Sequence, residues 1–551
     1  MDCNALSELL FPDTQTTLED LEHQYPPRNI PESAKVTRIA PSPTGFMHLG
    51  NLFGAIADER LSHQSGGSFY LRIEDTDRKR EVEGGVELIL NVFEYFQLPF
   101  DEGATSTGDN GVYGPYRQRQ RVNIYKSCAK WLVQQGKAYP CFCSEEELAV
   151  VREQQAERKH NFGYYGEYAI YRDKPMEEIE SRIKAGEPFT LRFRSNGRLD
   201  LRVKFTDLVK GTMEFPENDQ DVVLLKSDGI PTYHFAHVVD DHFMRTTHVV
   251  RGEEWLATLP VHIQLFQAMG WKPPKYVHTA QLMKMDGGSK RKLSKRKDPE
   301  LALDFYHRQG YCVPAVKEYI MTLLNSNFEE WRIANPDSSL DDFQFSIKKM
   351  GVSGALFDID KLNDVSKNVL SRMTAEELYD LLARWAGQYD PEFAALLTRD
   401  PAYSKAILGI GRGGPKPRKD LAILSEAKDY TSFFFDELYR PGGELPANVS
   451  TATAADILHR YADTYQPCPD SGRWFDSVKE LTDSIGFASN MKDYKKDPDR
   501  YGGSVADVSM VIRLAVTGRS NSPDLYEIMT LLGKERVLSR LKEAYHRLSI
   551  C

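Results

Sequence analysis

The stretch from Val36 to Asp75 constrains the fold more than any other part of the chain. VTRIAP is a short β-branched run, the prolines of PSPTG stop it, and LGNLFGAIADERLSHQ repeats apolar residues at helical spacing until Gly66-Gly67. SFYLRIED then reads as a second strand. Strand, turn, helix and strand make a βαβ unit, whose right-handed crossover gathers the strand ends and the helix N-terminus on one edge of a parallel sheet. Chemistry is expected at that edge.

The flanking segments follow different rules. Residues 1 to about 33 run into QYPPRNIPESAK (24–35), whose three prolines predict an extended lead-in to the first strand. From Tyr116 to Asp221 the pattern turns irregular, with a charged helix at SEEELAVVREQQAERKH and strands at FTLRFR and RVKFTDLV, as in an inserted α+β segment. DVVLLKSDGIPTYHFAHVVDDHF and THVVRGEEW then alternate β-rich runs with turns, which predicts that the parallel sheet resumes, and LATLPVHIQLFQAMG is an amphipathic helix closed at Gly270. After Pro299 strands nearly vanish: TAEELYDLLARWAGQ and SPDLYEIMTLLGKERVLSRLKEAYHRL are consecutive helices, and GIGRGGPKPRKD is a basic, glycine-rich loop.

At 551 residues the chain has room for two to four folded units. Its 41% hydrophobic and 27% charged residues exclude a fibrous or largely disordered protein. A net charge of -10 repels polyanions in bulk, so any nucleic-acid site must be a local basic patch. Seven dispersed cysteines do not make a disulfide framework and point to a reducing cytoplasm. The acidic N-terminus does not read as a signal peptide, and no 18-residue apolar run exists, so no membrane association is expected.

Two motifs carry phosphate chemistry. PSPTGFMHLGN delivers His48 and Asn51 to a helix N-terminus, where free N–H groups and the helix dipole favour an anion; alone, the same string fits an ordinary first-turn histidine. In MKMDGGSKRKLSKRKDP, Lys284, Lys290, Arg291, Lys292, Lys295, Arg296 and Lys297 face only Asp286 before Asp298. A mobile Gly-Gly loop with that density of cations could close over a triphosphate; it also fits a solvated charge run. Cys141-x-Cys143 supplies half of a zinc set, but only His160 lies nearby to extend it, so zinc is not expected.

Taken in order, APSPTGFMHLGN, RIEDTD, PTYHFAHVVDDH, VVRGEEW and KLSKR resemble the glutamyl-tRNA synthetases, class I aminoacyl-tRNA synthetases; FDIDKLNDVSKN resembles the segment that follows their nucleotide fold. The resemblance covers most of the chain and is densest over residues 36–300. It implies a Rossmann-type α/β catalytic domain with an α+β insertion, followed by an all-α anticodon-binding region. The implied boundaries are an N-terminal extension (1–33), catalytic halves (34–115 and 221–299), an acceptor-end-binding insertion (116–220), a stem-contact helical domain (300–370) and anticodon-binding helices (371–551).

The implied activity is ATP- and Mg²⁺-dependent ligation of L-glutamate to tRNA(Glu) by a cytoplasmic monomer that needs tRNA before activation. His48, Asn51, Lys292 and Lys295 are the implied catalytic set, Asn51 standing for the usual second histidine and Leu293 for the usual methionine. ATP would also meet Gly50, Gly252, Glu254, Trp255, Leu293 and Ser294, with Trp255 alternatively core. Glutamate would meet Arg38, Ser42, Glu74, Tyr233, Arg251 and His237, the last at a position that varies among relatives. Read without the resemblance, Tyr233 fits a core strand residue and Arg251 fits a partner of Glu253. Ser42 and Thr44 replace the acid and asparagine of glutaminyl enzymes, which favours glutamate. The basic loop near Lys292, Arg192 and Arg194 in the insertion, and Arg412 to Lys419 are candidate RNA contacts, each also fitting an ordinary solvated surface. The rival readings are an enzyme that also charges tRNA(Gln), a silent tRNA-binding paralogue, and a nucleotidyltransferase, which would not need 250 trailing helical residues.

Overall fold

A computed structural model describes residues 2–550, which divide into two units: one of residues 2–305 and 317–358, the other of 306–316 and 359–550. The expected 300–370 domain is thus shared between them.

The first unit is built on the predicted βαβ. Strand β1 (Val36–Ile39) pairs in parallel with β2 (Ser68–Leu71), and β2 with β3 (Glu102–Thr105), which turns back into β4 (Gly108–Asn110). On the other side of β1 lies β10 (His248–Gly252), where Thr247 N donates to Val36 O at 3.0 Å, and β10 pairs in parallel with β11 (Lys275–Thr279). The strand order therefore reverses between β1 and β10, and in open α/β sheets ligands bind beyond the carboxyl ends at such a reversal.

Helix α3 (Leu49–His63) covers this reversal. It starts where His48 takes an extended conformation and Asn51 Oδ1 accepts from His48 N at 3.0 Å, the reciprocal half of a helix cap. It ends before Gly66, whose φ of +69° suits glycine. At Gly67 a Cβ would sit 1.9 Å from Lys35 O, so only glycine lets β2 enter beside the lead-in.

Two expectations fail here. Residues 1–33 are not merely a lead-in: Asp2 caps helix α1 (Cys3–Leu10), Thr17 and Asp20 form a capping box for α2 (Leu18–Gln24), and only the proline-bearing end is irregular. Both helices pack on α5 (Val122–Gln134), and Lys130 reaches Glu8 and Thr14 O. Likewise Tyr233–Phe243 is a helix, α8, not a strand. Nearly every face of α8 is buried, down to His237, Asp240 and Asp241, so the sequence shows no polar stripe and reads as a continuous β-rich run.

The insertion holds β5 (Ala138–Cys141), β6 (Thr190–Phe193) and β9 (Val223–Leu225) in one antiparallel sheet, so DVVLL belongs to it and not to the parallel sheet. A separate hairpin, β7 (Arg202–Asp207) and β8 (Gly211–Pro216), docks on β11 through Leu208 N to Tyr276 O at 3.0 Å. The second unit is helical around a core that includes Leu382, Phe393, Leu458, Val508 and Ile528. Its last two helices are separated at Gly533, with φ of +78°.

Candidate active site

A cavity of about 480 Å³ opens at the carboxyl ends of β1 and β10. Of the expected site residues it brings together Arg38, His48, Gly50, Asn51, Glu74, Tyr233, Arg251, Gly252, Glu254, Trp255, Lys292, Leu293 and Lys295. Ser42, Ser294 and His237 do not line it. Ser42 is exposed on the PSPTG turn. Ser294 belongs to the turn of its own loop, its N–H donating to Asp298 Oδ2 at 2.7 Å. His237 is fully buried behind Tyr233, stacked on its ring at 5.9 Å, with Nε2 bonded to Tyr276 Oη at 2.8 Å.

At one end lies the start of α3. Because Asn51 Oδ1 is engaged by His48 N, the side chain has its Nδ2 donors left for a ligand. Glycine at position 50 leaves room for the His48 ring to fold over the helix start, since a Cβ there would come within 3.1 Å of it. His48 Nδ1 is buried without a hydrogen-bond partner. Burial, with Lys295 next in weight, holds the imidazole below its ordinary range, so the ring is neutral at pH 7.

Above it stands the basic segment. Its glycines make a hairpin turn between β12 (Leu282–Asp286) and β13 (Ser289–Lys292), with φ of +55° at Gly287 and +88° at Gly288, rather than the free loop the sequence suggests. The seven cations also divide. Arg291 bridges Asp286 at 2.6 Å and Asp298 at 2.6 and 2.8 Å, and Lys284 bonds Glu300, so these two brace the segment. Lys292 and Lys295 have no carboxylate partner among the described residues. Buried Leu293 anchors the chain between them. The Lys295 ammonium lies 4.8 Å from the centre of the exposed Phe46 ring, and 3.9 Å from where a Cβ on Gly45 would stand, so it reaches the turn that precedes His48.

The other end is a buried cationic pocket. Arg38 on β1 pairs with Asp241 of α8 at 3.2 Å, and Arg72 bonds Asp241 at 2.7 Å and Glu74 at 3.0 Å. Burial opposes the charge of Arg38, and Asp241 more than offsets it; burial likewise pushes Asp241 upward, and Arg38 and Arg72 bring it well below the usual carboxylate range. Burial raises Glu74 even against Arg72, as for a carboxylate short of one cation. Neither Arg72 nor Asp241 stands out in the sequence; the paired acids inside the apolar run HVVDD were the available sign, since buried carboxylates need cations.

Arg251 differs from both. It is 9% exposed, yet its guanidinium bonds only neutral groups: His278 Nε2 at 3.0 Å, Tyr233 Oη at 3.3 Å, His262 Nδ1 at 3.4 Å and Trp255 O at 3.4 Å. The alternative partner Glu253 is taken by Lys210. An arginine can only donate, so His262 accepts with Nδ1 and its Nε2 faces His234 Nδ1 at 3.0 Å. Trp255 is 36% exposed and leans on Tyr233 at 4.6 Å, a cavity wall and not core.

The candidate RNA contacts are mostly engaged within the protein. Arg192 stacks on Tyr164 at 3.9 Å, Arg194 bonds Asp173 at 2.6 Å, and Arg412 donates to Leu408 O at 2.7 Å. Lys416 and Lys419 are the exposed cations of the 410–420 loop. At Cys141 the thiol donates to Tyr164 Oη, and no group of three metal-ligating side chains occurs among the described residues.

Comparison with known proteins places the chain. Residues 35–364 match the model of the "tRNA synthetases class I (E and Q), catalytic domain", and residues 488–545 match an "Anticodon binding domain". The glutamate–tRNA ligase of Acetivibrio thermocellus is 53% identical over 98% of this chain and 100% of its own length, and that of Clostridium perfringens is 48% identical over 98% and 99%. A crystal structure of the glutamate–tRNA synthetase from Elizabethkingia anophelis shares the fold with a TM-score of 0.75 and 27% identity, over 93% of this chain and 100% of that one.

Proposed function

The chain belongs to the class I tRNA synthetases for glutamate and glutamine, as a glutamate–tRNA ligase, and from that premise we propose how its cavity performs the reaction. The enzyme joins L-glutamate to tRNA with ATP, through a glutamyl-adenylate, releasing pyrophosphate and AMP. The observation that carries the assignment of roles is the pairing of Arg251, a buried guanidinium with only neutral partners, with a phosphate-ready helix start in one cavity. The side-chain carboxylate of glutamate supplies the counter-charge that Arg251 lacks, in a charge-assisted and geometrically matched bond. Glutamine brings a neutral amide and leaves that charge unpaired.

Glu74, whose carboxyl burial raises even against Arg72, takes the α-ammonium, a second cation for that carboxylate. This orients the α-carboxylate toward the α-phosphorus, where it attacks as the anion it already is; no general base is required. As pyrophosphate leaves, negative charge grows on the phosphate oxygens. His48, Asn51 Nδ2, Lys292 and Lys295, which line this cavity, take up that charge, and such donors are worth more in a partly enclosed site than in water. Gly252, Glu254, Trp255 and Leu293 form the remaining wall, which suits adenosine. In the second step the terminal ribose hydroxyl of tRNA attacks the adenylate carbonyl and AMP departs.

Mg²⁺ would be carried by the ATP phosphates, whose charge it would help neutralise: the side chains at that end are two ammonium groups, an imidazole and an amide, not a carboxylate set for a divalent ion. We take tRNA(Glu) as the RNA, the monomer as the working unit and the cytoplasm as the compartment, in keeping with cysteines too few and too dispersed for a disulfide framework. No helix of the described residues is long and apolar enough to cross a membrane.

Charging purified tRNA(Glu) and tRNA(Gln) with radiolabelled glutamate, with labelled glutamine as control, tests the reading. Glutamate should be esterified to tRNA(Glu) and glutamine to neither; equal use of glutamine, or no charging, overturns the role given to Arg251.

A further inference from the structure

Arg251 is held by one firm bond and three long ones. His278 Nε2 accepts from its Nε at 3.0 Å, whereas the terminal Nη groups reach their partners only at 3.3 to 3.4 Å. The two residues face each other directly across the β10–β11 pair. His278 is fully buried, and its other nitrogen, Nδ1, lies 2.8 Å from Asp207 Oδ2, which also accepts His278 N at 3.0 Å. Since Arg251 Nε can only donate, His278 must present a lone pair at Nε2 and carry its proton on Nδ1, and the Asp207 carboxylate is the acceptor that secures this tautomer. Burial holds the imidazole below its ordinary range in spite of Asp207, consistent with a neutral ring.

Asp207 does not come from the nucleotide fold. It is the last residue of β7, 1% exposed, at the turn of the inserted hairpin, and its second oxygen accepts Val209 N and Lys210 N at 2.8 Å. The hairpin is clamped by Leu208 N on Tyr276 O, by Phe205 against the Tyr276 ring at 5.5 Å, and by Lys210 on Glu253. The carboxylate is therefore fixed in place before any substrate arrives.

We propose that Asp207 and His278 are positioning residues for amino-acid recognition: the inserted hairpin sets the His278 tautomer, and His278 fixes the Arg251 fork so that its terminal N–H groups meet the substrate's side-chain carboxylate. This rests on the reading of Arg251 as the residue that binds that carboxylate. It adds that glutamate affinity depends on a residue outside the cavity and outside the parallel sheet.

Two substitutions at one position separate this role from a merely structural one. In His278→Asn the amide can replace Nδ1 and keep Asp207, but nothing reaches Arg251. In His278→Gln the carbonyl can replace Nε2 and accept from Arg251, while the link to Asp207 is lost. With tRNA and ATP saturating, His278→Asn should raise the glutamate KM about 10- to 30-fold with the ATP KM within about twofold, and His278→Gln should recover most of that loss. Thermal unfolding of each variant, and Asp207→Asn as a second probe if His278→Asn does not fold, keep the test readable. Asp207→Asn turns a donor toward His278, forces the opposite tautomer and should raise the glutamate KM to a similar extent. Equal effects of the two His278 variants, a larger defect in His278→Gln, or a parallel rise in the ATP KM overturns the proposal. Arg251→Gln serves as reference and should raise the glutamate KM about 100-fold. If it does not, the reading of Arg251 fails; if it does while His278→Asn is normal, only the positioning proposal fails.

Discussion

The two ends of the cavity hold cations in opposite ways. Arg38 and Arg251 stand on strands, nine-tenths or more buried, each fixed by acceptors from neighbouring elements. Lys292 and Lys295 stand on the β13 end and the loop beyond it, exposed, with no carboxylate partner among the described residues. The difference follows the chemistry. Recognition of a small carboxylate asks for a rigid fork already in place, and at Arg251 neutral acceptors hold that fork without cancelling its charge, while Arg38 is held by the Asp241 carboxylate. Stabilising charge that develops during phosphoryl transfer asks for ammonium groups that can follow the moving oxygens, and solvent keeps them charged until ATP arrives.

If that division is correct, the largest single loss comes from the loop end. Lys295→Ala should lower the rate of tRNA-dependent ATP–pyrophosphate exchange by about three orders of magnitude, with the glutamate KM little changed. Near-normal exchange would remove this lysine from the mechanism. A smaller effect is expected at the helix start, where capping and ligand binding can be pulled apart. Asn51→Asp keeps an acceptor for His48 N and suits a helix N-terminus, so the melting temperature should hold. It loses the Nδ2 donor and sets a negative charge beside the phosphates, so the ATP KM should rise about tenfold or more. A fall in stability with an unchanged ATP KM would show the side chain to be a cap and nothing else.

The same contrast explains what the sequence makes legible. The helix start is readable because local chemistry produces it: the proline-rich turn, the histidine before the helix and the glycine that makes room for its ring are contiguous from Pro41 to Asn51. Lys292 and Lys295 are readable as charge density, but their separation from Arg291 and Lys284 is not, because it depends on Asp298 and Glu300 folding back onto the segment. The buried end is least legible. Its cations are held by residues far away in sequence, Arg38 by Asp241 and Arg251 by His278 and Tyr233, and α8, which carries two of these partners, conceals its helical period by burying nearly every face. His237 lies in the same helix and falls behind the cavity wall, a distinction of one helical turn that periodicity cannot supply when there is no polar face to set the phase.

The smallest expected effect is the one that tests the contrast itself. Exposed ammonium groups attract ATP through solvent, where at about 0.15 M salt a charge is felt over roughly 8 Å, while a buried guanidinium meets its carboxylate in direct contact with little screening. Raising salt from about 0.05 M to about 0.3 M, with tRNA saturating throughout because its own binding weakens with salt, should raise the ATP KM about threefold. The glutamate KM should stay within about 1.5-fold over the same range, since desolvation and geometry dominate at Arg251. In Lys292→Ala the salt slope for ATP should flatten, because one of the exposed charges that produces it is gone. Equal slopes for the two substrates would mean that the Arg251 pocket is as open to solvent as the lysine loop, and the distinction between a rigid recognition end and a solvent-charged catalytic end would have to be abandoned.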